Sequence, residues 1–270
     1  STYRAVLFDQ RGCGRSRPLA IDHHADLSTN TTDHLVRDIE RLREYLGIDQ
    51  WVIAGVSWGV TLALVYAQRH PDRVLAMVLG AVTAGSRRES EWITRDMGRV
   101  FPREWRQLME LVPKTERGRD VAAAYARLLA DPDPHVQEAA ARAWCAWEDT
   151  HVSLAPDWAP DPRYTDPDFR MVSRLVTHYW SHGCYLAEHQ VLAGMPRLAS
   201  IPAVLIHGRR DISDPLDTAL AVHNAWPRSR LVILDDAGHG GGGFPSQLTT
   251  ALDTFRELSS RAPQQRVGSP

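Results

Sequence analysis

Short apolar runs and helically spaced apolar positions alternate along the first eighty residues. Residues 3–8, Tyr-Arg-Ala-Val-Leu-Phe, predict a strand that ends in a turn-rich loop at 9–16. Between 31 and 46 the apolar positions are Leu35, Ile39, Leu42 and Leu46. That is helical spacing, with Thr31 or Thr32 as N-cap and Gly47 as the stop. A second buried strand is expected at 51–54, an apolar helix at 58–69 closed by Pro71, and a third strand at 74–79. Strands that are apolar throughout, joined by helices, predict a parallel sheet covered on both faces.

The pattern changes near Gly85. Residues 86–195 hold helical stretches at 120–129 and 135–147, separated by Pro-rich turns at 131–134 and 156–167. Six of the nine tryptophans lie there (Trp92, Trp105, Trp144, Trp147, Trp158, Trp180), and this segment reads as a helical cap inserted into the sheet domain. The sheet pattern returns with a strand at 203–206, a helix at 215–226, a strand at 231–234 and a last helix at about 245–258. The expected organisation is an α/β core in two parts, 1–85 and 196–258, a helical cap at 86–195, and a polar, disordered tail at 259–270.

A chain of 270 residues can bury a full core of this kind. The formal net charge of −2 provides no basic field for nucleic acid or an anionic membrane. Cys13, Cys145 and Cys184 are odd in number and far apart, which argues against a disulfide framework and for a reducing, cytoplasmic setting. No charged-then-apolar leader opens the sequence. Residues 51–67 carry no formal charge but fall short of the roughly 18 apolar residues of a membrane span, and glycines interrupt them.

The chemistry centres on Gly55-Val56-Ser57-Trp58-Gly59, a G-x-S-x-G turn between a strand and a helix. Such a turn presents serine at the tip of a strained strand-to-helix corner. Serine needs a base, and the base an orienting acid, in the chain order Ser, Asp, His for this architecture. Asp211 follows the strand at 203–206, and His239 follows the strand at 231–234. All three lie beyond the carboxyl ends of parallel strands, where open α/β sheets form their crevice. Asp214 competes with Asp211, and Asp211 could instead cap the helix that opens near Pro215. His70 and His207 read as structural, and His23-His24 lacks a third ligand at useful spacing, so no metal is expected. The G-x-G within residues 9–16 lacks a following G-K-[ST], so no nucleotide or other cofactor is expected either.

Several segments together resemble the proline iminopeptidases, prolyl aminopeptidases of the α/β-hydrolase fold. The first is Asp9-Gln10-Arg11-Gly12-Cys13-Gly14-Arg15-Ser16, followed by residues 30–40 and the turn around Ser57. His70-Pro71-Asp72-Arg73-Val74, Trp144-Cys145-Ala146-Trp147-Glu148, and residues 207–211 and 237–239 extend the likeness, which runs from residue 3 to about 257. The resemblance implies Ser57 as nucleophile, His239 as general base and Asp211 as its orienter, with the Trp58 backbone N–H as an oxyanion donor. It also implies that Glu148 grips the free α-amino group of a small peptide substrate, while Trp144 and Trp147 enclose the pyrrolidine ring.

Two departures stand out. The family carries a His-Gly-Gly-Pro-Gly loop ahead of the Asp-Gln-Arg-Gly segment, supplying a second oxyanion donor. The given sequence starts at Ser1 without it, so the expectation is either a piece of a longer protein or a replacement from another element. The family also has a second amino-binding glutamate where Val176 stands here, with Glu188 nearby as a substitute. In addition, Gly240 to Gly243 follow His239 and suggest a loose loop. The rival readings are an esterase, amidase or lactonase on the same scaffold, and a non-catalytic ligand-binding relative. The sequence carries no sign of oligomeric state.

Overall fold

The computed structural model describes residues 3–22, 25–152, 169–256 and 258. In chain order its elements are α1 (Thr32–Tyr45), β1 (Trp51–Val56), α2 (Trp58–Arg69), β2 (Val74–Gly80), α3 (Arg87–Thr94), α4 (Pro102–Glu110) and α5 (Val121–Leu128). They continue with α6 (Pro134–Val152), α7 (Phe169–Ser181), α8 (Gln190–Gly194), β3 (Ala203–Gly208), α9 (Leu216–Asn224), β4 (Ser229–Leu234) and α10 (Phe244–Thr254). They fall into two compact units. One comprises residues up to Val6, Asp33–Ala84 and His189 onward; the other comprises Leu7–Thr32 and Gly85–Glu188.

In the first unit the sheet order is β1-β2-β3-β4 and every pairing is parallel. The register sets Val56 against Gly80, Gly80 against Ile206, and Gly208 against Leu234, so the carboxyl ends of the strands come out level. The two central strands are apolar on both faces. Ala76 and Val78 join Val204, Ile206, Ala237, Phe244 and Ala251 in one cluster, while Met77 and Leu79, which alternate to the other side, are just as buried. Each such Val, Leu or Ile contributes roughly 1.5–3 kcal/mol by leaving water. Gly80 permits the close seating of α10, since a Cβ there would come within 2.6 Å of the Phe244 ring.

A polar knot ties α1 to α2. Glu40 accepts two hydrogen bonds from Arg43, at 2.6 and 3.0 Å, and a third from the Tyr66 hydroxyl at 2.7 Å. Arg43 also donates to the Ile48 carbonyl. A mostly buried carboxylate is tolerated only because it is paired and hydrogen-bonded in this way.

In the second unit the core is aromatic. Trp144 on α6 lies 5.2 Å from Tyr125 on α5 and 5.8 Å from Trp180 on α7, and Trp147 meets Phe101 edge-on at 6.4 Å. Tyr125 donates its hydroxyl proton to the Leu108 carbonyl at 2.6 Å. The ends of the helices follow sequence rules: Ser86 and Glu89 form a capping box on α3, and Asp120 caps α5. Residues 7–32 fasten to this unit through Arg174, which donates to the Ala20 carbonyl, and through His178 Nε2, 3.0 Å from the Asn30 carbonyl.

The predicted strand at 3–8 is absent. No ladder partner lies beside it among the described residues, and Leu7 is 92% exposed. Extended chain becomes strand only when its N–H and C=O groups find a neighbour. Residues 189–195, expected in the helical insert, pack with the sheet unit, where Gln68 Nε2 donates to the Val191 carbonyl at 2.8 Å. Trp158, the turn at 156–167, His23-His24 and the tail at 259–270 lie outside the described residues.

The knot carries a pH signature. Hydrogen bonding by Arg43, against an opposing desolvation and with help from Tyr66, pulls the Glu40 carboxyl from 4.5 down to about 2. A depressed carboxylate contributes stability that is present above its unfolded value and is lost as pH falls through the folded one. Glu40→Gln should therefore melt lower than the parent at pH 7, by an amount up to ~3 kcal/mol. The gap between the two should close between about pH 4.5 and pH 2, as read by thermal melts across that range.

Candidate active site

Ser57 sits between the end of β1 and the start of α2 with φ 55° and ψ −123°, a conformation that L residues seldom adopt. Two backbone hydrogen bonds hold it there. Ser57 N–H donates to the Gly80 carbonyl at 2.9 Å, and Val60 N–H donates to the Ser57 carbonyl at 2.7 Å. Gly55 is required by space, because a Cβ on it would lie 2.5 Å from the Gly59 carbonyl oxygen. Gly59 is different: a Cβ there would meet nothing within 4 Å among the described residues. Ser57 holds the N-cap position of α2, yet its side chain does not cap the helix. The hydroxyl instead lies 2.8 Å from His239 Nε2.

His239 is carried by the loop after β4, and its Nδ1 lies 3.0 Å from Asp211 Oδ2. Asp211 follows β3, is 5% exposed, and accepts the Asp214 backbone N–H at 3.0 Å through Oδ1. It does not cap α9, whose N-cap is Pro215 with no side-chain hydrogen bond. Burial opposes ionisation of Asp211. The charge and hydrogen bond of His239, the nearby His207 and the Asp214 N–H outweigh it and hold the carboxyl below the ordinary carboxylate range. The competitor, Asp214, keeps its carboxylate 3.6 Å from the same Nδ1, so distance separates the two acids. Asp211, Asp214 and His239 offer ligand atoms within 4.8 Å of one another. Asp211 Oδ2 and both imidazole nitrogens are already engaged in the Ser57–His239–Asp211 chain, so a cation would have to break it.

The glycine run after His239 has one side-chain tether among the described residues. Asp236 Oδ2 accepts the Gly243 N–H at 3.2 Å, and Gly242, at φ 52°, lacks the Cβ that would strike that carboxylate. Trp58 opens α2, which puts its backbone N–H in the first turn, where helix N–H groups face away from intrahelical acceptors.

The remaining expected residues belong to the helical unit. Trp144 and Trp147 are 0% and 1% exposed and form its core, and the Trp144 indole N–H donates to Glu148 Oε1 at 2.6 Å. Val176 is half-buried on α7. Glu188 lies on the surface beside a polar cavity of about 450 Å³ that Arg87 and His182 also line. One residue was undervalued by sequence reasoning. His207, which reads only as structural in the sequence, is the fifth residue of β3, is 0% exposed and is bonded at both ring nitrogens. Its position four residues before Asp211 is the only signal the sequence offered.

A level parallel sheet with Ser57, Asp211 and His239 at its strand ends, in that chain order, defines the class as the α/β hydrolases. A family model of the alpha/beta hydrolase fold matches residues 1–242. A probable proline iminopeptidase of Streptomyces coelicolor (strain ATCC BAA-471 / A3(2) / M145) is 45% identical over 94% of this chain and 80% of its own. The proline iminopeptidase of Xylella fastidiosa (strain Temecula1 / ATCC 700964) is 42% identical, again over 94% and 80%. Among solved structures, a putative lipase of Acinetobacter baumannii AYE matches with a TM-score of 0.57 at 15% identity, covering 93% of this chain and 74% of that one, a likeness of fold alone. The chain belongs to the α/β-hydrolase fold family and, within it, to the proline iminopeptidases. Among the described residues no helix is long and apolar enough to cross a membrane.

Gly208 closes the strand end on the histidine loop. A Cβ on it would collide with the Gly238 carbonyl oxygen and stand 2.5 Å from that of Ala237. Gly208→Ala should push His239 off Ser57 and slow fluorophosphonate labelling of Ser57 roughly 10- to 100-fold, measured by stopped-time labelling and mass spectrometry.

Proposed function

We propose that Ser57, His239 and Asp211 are the catalytic triad of an aminopeptidase that releases N-terminal proline from small peptides. The observation that carries this reading is the unbroken hydrogen-bonded chain from Ser57 Oγ through both nitrogens of His239 to Asp211 Oδ2, at 2.8 and 3.0 Å. His239 Nε2 takes the proton of Ser57 Oγ as the oxygen attacks the carbonyl of the first peptide bond. Asp211, kept ionised, holds Nδ1–H and stabilises the imidazolium that forms. The Trp58 backbone N–H faces the developing oxyanion. His239 then gives its proton to the leaving amine, and a prolyl ester forms on Ser57. Water, deprotonated by the same imidazole, attacks that ester and frees proline and the serine. No metal or cofactor takes part in these steps.

Recognition falls to Glu148, whose carboxylate pairs with the substrate's α-ammonium. Support for this comes from its burial and from the Trp144 indole N–H, which orients one carboxylate oxygen. Trp144 and Trp147, as core rings, contribute by holding α6 in place. Val176 removes a negative charge from the amino-group site, which favours weaker selection for a cationic N-terminus and keeps a small-ester hydrolase as the second reading. The three cysteines, none of them in a disulfide, favour a cytoplasmic enzyme with no nucleic-acid or membrane partner.

The deciding assay compares proline 4-nitroanilide with 4-nitrophenyl acetate, using Ser57→Ala as control. Proline release that the substitution abolishes is expected. Ester turnover alone would replace the peptidase with the second reading, and loss of neither activity in Ser57→Ala would remove the triad. Glu148→Gln should raise KM for proline 4-nitroanilide about tenfold, by loss of a charge-assisted hydrogen bond. Hydrolysis of 4-nitrophenyl acetate, which has no amino group, should stay within about twofold.

A further inference from the structure

His207 has no part in the chemistry just described, yet it is joined to the triad by a continuous set of hydrogen bonds. Val82 N–H, just past the end of β2, donates to His207 Nδ1 at 3.0 Å. That nitrogen is therefore unprotonated, and the ring proton sits on Nε2, which donates to the Asp214 carbonyl at 2.7 Å. Asp214 in turn donates its own N–H to Asp211 Oδ1. The same Nε2 lies 3.7 Å from Asp211 Oδ2. We propose that His207 is a positioning residue: as a neutral Nε2–H imidazole it holds the Asp214 backbone by its carbonyl, and through the N–H on the other side of the same Cα fixes the Asp211 carboxylate against His239. This proposal rests on the triad reading above.

The geometry explains why an imidazole stands there. The site needs an acceptor on the β2 side and a donor on the Asp214 side, one ring apart, inside a fully buried strand end. Neutral imidazole supplies both at once. Protonation would place an N–H against the Val82 N–H, and burial and the nearby His239 likewise disfavour the charged ring, outweighing the charges of Asp211 and Asp217 and the Asp214 carbonyl that favour it. The neutral ring that sets the clamp is therefore the favoured form, while the proton transferred in the reaction passes through His239.

Two substitutions separate the two halves of the clamp. His207→Asn keeps an acceptor for Val82 N–H but has no donor that reaches Asp214. His207→Gln places an amide N–H where Nε2 was. His207→Asn should lower kcat for proline 4-nitroanilide roughly 10- to 100-fold with KM little changed. It should also move the acid limb of the kcat/KM profile to lower pH, because a misaligned Asp211 stabilises the imidazolium less. His207→Gln should recover most of that loss and return the limb toward its original position. The His239 titration is followed in parallel by ¹⁵N NMR, assigned with His239→Asn, and it should shift down in His207→Asn and return in His207→Gln.

Equal losses in both variants, or a His239 titration and acid limb that stay where they were in His207→Asn, would overturn the proposal and leave His207 as packing. The NMR arm decides this even if the wild-type chain hydrolyses neither substrate. That outcome would count against the aminopeptidase reading instead.

Discussion

The hydrogen bond from Ser57 N–H to the Gly80 carbonyl fixes more of this molecule than any other single contact. It extends the β1–β2 ladder one residue beyond the strand, and so forces the chain to turn into α2 at a left-handed serine. A left-handed conformation in a non-glycine residue is costly and persists only where its surroundings over-determine it. Here they do: Gly55 lets the Gly59 carbonyl approach, α2 is buried along almost its whole length, and the next strand supplies the acceptor. The hydroxyl, released from capping duty, is free to bond His239.

The acid and the base reach that hydroxyl by the same logic of level strand ends. β3 and β4 pair in register to their last residues, and Gly208 lets the backbone of the histidine loop press against β3 without a side chain between. Asp211 then meets His239 in a place so buried that a bare carboxylate would be untenable. It is tolerable because each Asp211 oxygen has a donor: His239 on one, the Asp214 N–H on the other. The His207 ring, bonded on both sides, is the outer brace of that arrangement.

The helical unit follows a different principle. Its coherence comes from indole and phenol rings meeting at edge or tilted angles, with the polar tip of Tyr125 on a backbone carbonyl and that of Trp144 on a carboxylate. Glu148 belongs to that fabric as an acceptor for Trp144 as well as being the amino-group candidate. The Trp-Trp-Glu face of α6 is thus a packing motif with a charge built into it, and the two roles are compatible because the indole orients the carboxylate.

Much of this was legible in the residues. Hydrophobic periodicity located α1, α2, α9 and all four paired strands to within a few residues, because buried parallel strands must be apolar on both faces and amphipathic helices must repeat every three to four positions. The order Ser57, Asp211, His239, each after a strand, identified the triad candidates from spacing alone. Other features needed tertiary contacts. The run at residues 3–8 has strand composition, but ladder partners decide strands. Asp211, the sequence candidate, and its competitor Asp214 differ by 0.6 Å in their approach to one imidazole nitrogen (3.0 against 3.6 Å). The Asp236 tether on the glycine run after His239 is visible only in the fold, and His207 became more than a structural residue only when Val82 and Asp214, far from it or out of register in the sequence, closed on its two nitrogens. Local pattern specifies which segments must be buried; which polar atoms face one another inside is decided by the register of the sheet and the close approaches its glycines permit.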